Sequence, residues 1–188
     1  MKQGNRENLR EKAGNFLELF TVLSVGFVLL ASEVYRYVYV SRDFWGSTML
    51  IPIFVSSYYT NFLCTFPVNF EYYHKKTKVV SIITIVSSLI NVGLNYLLIL
   101  RIGMAGAAVA TLISHSLQLT LHYLYVRFAL GGKEYPFPLK MWGGYAAVFA
   151  AVAVASVAAD GLWLARWGLG AAIGLWELLR VRKRKVLI

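Results

Sequence analysis

The chain has 188 residues, 58% of them hydrophobic and 15% aromatic, with a mean hydropathy of +0.58 and a formal net charge of +10. That apolar share exceeds the ~45–50% of ordinary soluble domains, so composition excludes a soluble domain of this length. The positive balance does not mark a nucleic-acid surface, because the cations stand in short clusters between apolar runs rather than along one folded face.

A helix needs ~20 mainly apolar residues to cross the hydrocarbon layer, and the uncharged spans give the predicted elements in chain order. The first crossing, residues 16–38, has only 14 uncharged residues between Glu18 and Glu33, and is completed by Phe16, Leu17 and the flank after Glu33. Basic residues ahead of an apolar run that ends near Ala31 and Ser32 suggest a signal peptide. Glu18 inside the run, Glu7 and Glu11 in the basic region and five further spans argue against cleavage. The second crossing, 45–68, lies in 27 uncharged residues between Asp43 and Glu71. It holds Cys64, the single cysteine, so an intrachain disulfide is excluded and no metal site of Cys/His spacing is present.

The third and fourth crossings, 79–100 and 104–127, lie in 22 and 25 uncharged residues on either side of Arg101. The fifth, 141–159, fills the 19 residues between Lys140 and Asp160. The sixth, 161–179, contains Arg166 and Glu177, each close enough to an end to reach the interface. The predicted fold is therefore all-α: a multi-pass integral membrane bundle of about six transmembrane helices. Placed on alternate sides, fifteen of the 19 Lys and Arg fall with the termini and four (Arg36, Arg42, Arg101, Arg166) fall opposite, which predicts both termini cytoplasmic. The run Arg180 to Lys185 is read as a stop-transfer and lipid-headgroup anchor, at ~1 kcal/mol per cation on an anionic surface.

Function in such a chain is sought among polar groups at membrane depth, since each costs free energy unless bonded or facing a cavity. On the third helix Thr84, Ser88, Asn91 and Asn95 follow the spacing i, i+4, i+7, i+11; on the fourth Thr111, His115, Gln118 and His122 repeat it. Each set forms a stripe about 60° wide, and such stripes either bond one another or line a wet cavity. For Thr84, Ser88 and Thr111 the bonding reading is preferred, at ~0.6 kcal/mol for an average interhelical hydrogen bond. For Asn91, Asn95, His115 and Gln118 both readings stay open. His122 lies near the cytoplasmic end, where solvation is the plain expectation.

Gly103, Ala107 and Thr111, and Gly106, Ala110 and Ser114, form two small-residue ridges on the fourth helix, and Gly170 and Gly174 a GxxxG on the sixth, where another backbone can come close. Tyr35, Tyr37, Tyr39, Phe44 and Trp45 match an interfacial aromatic belt. Tyr59 and Asn61, deeper in the second crossing beside Tyr58, are the remaining cavity candidates. No nucleophile motif, phosphate-cradling loop or paired carboxylates in a pocket is present, and Glu33 and Asp43 are read as solvated acids at the outer surface. An enzyme, a cofactor and a metal are not expected.

The stretch Ile90 to Ser114, INVGLNYLLILRIGMAGAAVATLIS, resembles the signature of the polysaccharide flippases, exporters of the multidrug/oligosaccharidyl-lipid/polysaccharide superfamily. The likeness extends back through Phe66 to Glu71 and Lys75, Lys76 and Lys78, which look like that family's cytoplasmic loop before the same helix. The resemblance implies two lobes of six helices, often with two added helices, that rock for alternating access. On it, residues 1–135 are the last four helices of the second lobe, and 136–188 are the added pair with a basic cytoplasmic tail. The implied activity is transfer of undecaprenyl-diphosphate-linked oligosaccharides across the bacterial cytoplasmic membrane for cell-surface polysaccharide synthesis. The implied partners are membrane lipids, the lipid-linked oligosaccharide and a missing N-terminal lobe or another membrane subunit, with no nucleic acid. Two departures stand out. Full members have twelve or fourteen crossings against six here, and Leu100 occupies a position where proline typically precedes the turn, leaving Arg101 as a charged loop residue. The alternatives are a truncated, non-transporting remnant or assembly subunit and, more weakly, a cation-coupled drug exporter of the same superfamily, which the absence of a mid-membrane acid disfavours.

Overall fold

Residues 3–15 include Arg, Glu, Leu, Lys and Ala, strong helix formers, and no proline, so the first helix begins well before its apolar run. The computed structural model describes residues 3–38, 47–132, 135–158 and 162–184. Helix α1, Gln3–Val38, has 36 residues and is therefore about 54 Å long, well beyond the ~30 Å hydrocarbon thickness. The expected start at residue 16 marks the start of the apolar part, not of the helix.

Helix α2, Ile51–Tyr73, opens with proline in its first turn, where a missing N–H costs nothing. It also carries Pro67 inside, which leaves the carbonyl four residues earlier without its helical donor. It runs past the expected end at 68, so Glu71 belongs to the helix rather than to a loop. Residues 45 and 46, the expected start of this crossing, lie outside the described residues, as do Asp43, Phe44 and Tyr39.

Helices α3, Thr77–Ile102, and α4, Met104–Ala129, are separated by Gly103 alone, at φ 61° and ψ −140°. A side chain is strained at that φ, and here glycine makes the reversal. The two helices close tightly beyond it: a Cβ added to Gly106 would run into the Leu98 carbonyl. Of the two small-residue ridges on α4, Gly106, Ala110 and Ser114 are buried, while Ala107 and Thr111 are half-buried. Helices α5, Leu139–Ala158, and α6, Trp163–Arg184, both pack on α1.

Six helices and no strand occur among the described residues, and five of the helices are long and apolar enough to cross a membrane. The sixth, α6, is not among those five. The core lies where α1, α2 and α5 meet, with Leu17, Val28, Tyr59, Leu63, Trp142 and Phe149 buried together. On the other side α4 packs chiefly on α2 and α3. The row ends at α3, where only Val80 and Ser87 are buried and Leu89, Val92, Tyr96 and Leu100 stand exposed.

Two charged residues expected near the surface are inside. Arg166 Nη1 donates to Glu33 Oε1 at 3.0 Å, and its Nη2 to the Val28 carbonyl at 3.3 Å and Ser32 Oγ at 3.4 Å. Both Arg166 and Glu33 are buried, so the interfacial reading of Arg166 and the solvated reading of Glu33 are both corrected. The reason is packing: α6 lies along α1, with Gly170 close to Leu29 and Leu30. Each charge is then removed from water and partnered by the other.

Candidate functional site

Helix α4 carries two polar seams, one against α3 and one against α2. Toward α3, Asn91 Nδ2 donates to Ser114 Oγ at 3.2 Å, and Asn95 Nδ2 donates to both the Asn91 carbonyl and Asn91 Oδ1 at 2.9 Å. Ser114 in turn donates to the Ala110 carbonyl at 2.8 Å, so it can accept from Asn91 while its own proton is used. Farther along, Gln118 Nε2 lies 3.5 Å from Thr84 Oγ1, a weak contact near the surface.

Toward α2, His115 Nδ1 lies 2.9 Å from Ser57 Oγ and 3.0 Å from the Ser57 carbonyl. One α-helical repeat later, His122 Nδ1 lies 2.9 Å from each carboxylate oxygen of Glu71. Both side chains are 0% exposed. This corrects the solvated reading of His122: α2 continues as helix beyond Glu71 and seals the pair between itself and α4. Among the described residues His122 Nε2 has no hydrogen-bond partner. Tyr135, in the α4–α5 connection, is half-buried; burial above all, then Tyr123, Cys64 and Glu71, push its phenol well above the usual tyrosine range.

The stripe of α4 therefore splits. His115 and His122 serve α2, while Gln118 serves α3, because seven residues advance a helix by almost two whole turns and three residues turn it aside. The same period was available on α2, where Ser57, Cys64 and Glu71 recur every seven residues and are all buried. That recurrence, set beside His115 and His122, is the sequence signal by which the Glu71–His122 pair could have been found.

Tyr59 sits apart from both seams. Its hydroxyl is 2.8 Å from Thr21 Oγ1 and its ring stacks on Phe149 at a centroid distance of 4.3 Å. It also lines a cleft of about 450 Å³ with Ser56, Thr60, Leu112 and Phe149. Asn61 is exposed on α2. Of the six sequence candidates, Asn91 and Asn95 come together, Gln118 meets α3 and His115 meets α2, and Tyr59 and Asn61 join neither seam.

Chemically, the arrangement offers bonded amides and imidazoles rather than a set of convergent free groups. No cluster of three or more His, Cys, Asp or Glu that could hold a metal occurs among the described residues. No family model matches the chain, nor does any curated protein or any solved structure.

Proposed function

We propose that this chain is the C-terminal part of a flippase that carries undecaprenyl-diphosphate-linked oligosaccharides across the bacterial cytoplasmic membrane by alternating access, with both termini cytoplasmic. The supporting observation is the α3–Gly103–α4 hairpin with its Asn91–Ser114 seam, formed by the same stretch that resembles the flippase signature. The fifteen-to-four distribution of cations supports the orientation. In this reading α3 and α4 form part of a lobe wall, and the exposed faces of Thr84, Ser88 and Asn61 look toward a cavity completed by the other lobe.

A specific observation also favours the second reading, a non-transporting remnant or assembly subunit. Asn91 and His115 hydrogen-bond to the neighbouring helices α4 and α2, which is what interhelical packing requires, and Asn95 bonds to Asn91 within α3. The genomic DNA upstream of Met1 separates the two readings. A continuation encoding about eight further crossings, the first lobe and the start of the second, together with loss of surface polysaccharide when Asn91→Leu is introduced into that full frame, supports the flippase. Unrelated upstream DNA and normal polysaccharide in the variant support the remnant or subunit.

A further inference from the structure

The cleft between the first turns of α1, the end of α2 and the α4–α5 connection is built as an amphiphile site. It has a volume of about 490 Å³, within the ~300–1,000 Å³ range of small-molecule sites. Its floor is aromatic: Phe62, Phe66 and Phe70 recur every four residues along α2, and Phe66 meets Phe137 at a centroid distance of 5.2 Å. Phe16, itself largely exposed, lines the cleft from α1, and Lys12 lies one turn nearer the helix start. Asn69 and Tyr73 line the cleft from α2, whose far end leads into Lys75, Lys76 and Lys78.

The cleft thus grades from rings to a cation along α1, and α1 overshoots the bilayer at this end. Lys12 is placed to hold its ammonium at headgroup level while its stem lies on apolar surface. We infer that this cleft binds one anionic glycerophospholipid from the leaflet at the lysine-rich end, with an acyl chain along the phenylalanines and the phosphate at Lys12. The net charge of +10 and the basic turn beside the cleft make the complementary headgroup anionic rather than zwitterionic. The inference rests on membrane insertion and not on the flippase reading.

Native mass spectrometry of the full chain in detergent, given equal amounts of phosphatidylglycerol and phosphatidylcholine, tests it. The wild type retains one phosphatidylglycerol preferentially. Lys12→Gln weakens that preference by ~5-fold, the equivalent of the ~1 kcal/mol expected per cation, whereas Lys12→Arg keeps it and Arg10→Gln, off the cleft, leaves it unchanged. Phe16→Trp supplies a second readout: brominated phosphatidylglycerol quenches the new indole more than brominated phosphatidylcholine does. Equal retention of both lipids, or equal losses in Lys12→Gln and Arg10→Gln, overturns the proposal as diffuse surface attraction. Displacement of phosphatidylglycerol by equimolar polyprenyl diphosphate overturns it in favour of a substrate-lipid site, and displacement by inorganic phosphate overturns it in favour of a free-anion site.

Discussion

Replacing Glu71 with leucine removes the carboxylate that faces His122 from 2.9 Å in a site where both side chains are 0% exposed. The imidazole is then buried with neither ring nitrogen bonded to a carboxylate, since Nε2 already lacks a partner among the described residues. Stranding one member of a buried pair in which both groups are charged costs ~3–5 kcal/mol, whereas a neutral interhelical hydrogen bond in a membrane averages ~0.6 kcal/mol. The magnitude therefore distinguishes a buried ionic contact from ordinary polar packing. Exchanging both residues for apolar ones, Glu71→Leu with His122→Phe, is expected to recover most of the loss, because no polar group is left behind. Equilibrium unfolding in mixed micelles of mild detergent and dodecyl sulfate gives the free energies, and the double-mutant cycle gives the coupling. Single losses below ~1 kcal/mol, or single losses that simply add in the double variant, would refute the reasoning that this pair fastens α2 to α4.

In the same assay Asn91→Ala is expected to cost only ~0.6 kcal/mol for its interhelical bond; a loss several times larger would mean that the amide supports more than its contacts with Ser114 and Asn95. Gly106→Val should splay the α3–α4 hairpin, because even a Cβ there meets the Leu98 carbonyl, at a cost of ~1–3 kcal/mol for overpacking; unchanged stability would contradict that close approach. Arg166→Met should strand Glu33 and loosen α6 from α1, seen as faster proteolysis within α6, and Glu33→Leu in the same chain should slow it again. With Cys64→Ser as background, a cysteine at Lys75 or Gly132 should react with an impermeant maleimide only after cells are opened, and one at Gly103 in intact cells. The reverse pattern would invert the proposed orientation.

The six helices were legible because apolar runs bounded by charges are what a bilayer demands of a sequence, and Gly103 between two such runs marked the tight reversal. Their ends were less legible. Charged residues 3–15 look like a tail but form helix in α1, and Glu71 looks like a loop residue because hydropathy measures apolarity rather than helix length. The α3–α4 seam could be anticipated from the spacing of Asn91, Asn95 and Gln118 on adjacent helices. His115 was assigned to the same stripe, yet its partner Ser57 lies 58 residues away on α2. The buried side-chain pairs were hidden for the same reason: Arg166 and Glu33 are separated by 133 residues and Glu71 and His122 by 51. A charge near the end of a predicted span carries no mark of whether packing will bring a partner to it.

Translocation of a lipid-linked oligosaccharide is the direct test of the proposal that this chain supplies the last four helices of a flippase's second lobe and the pair added to them. Proteoliposomes carrying a fluorescent undecaprenyl-diphosphate oligosaccharide in both leaflets are treated with an impermeant quencher, with the chain alone and with the eight crossings that complete both lobes joined to it. Quenching beyond the outer-leaflet fraction when both lobes are present, lost with Asn91→Leu, is the predicted result. Quenching confined to the outer leaflet in the presence of both correctly folded lobes would contradict it.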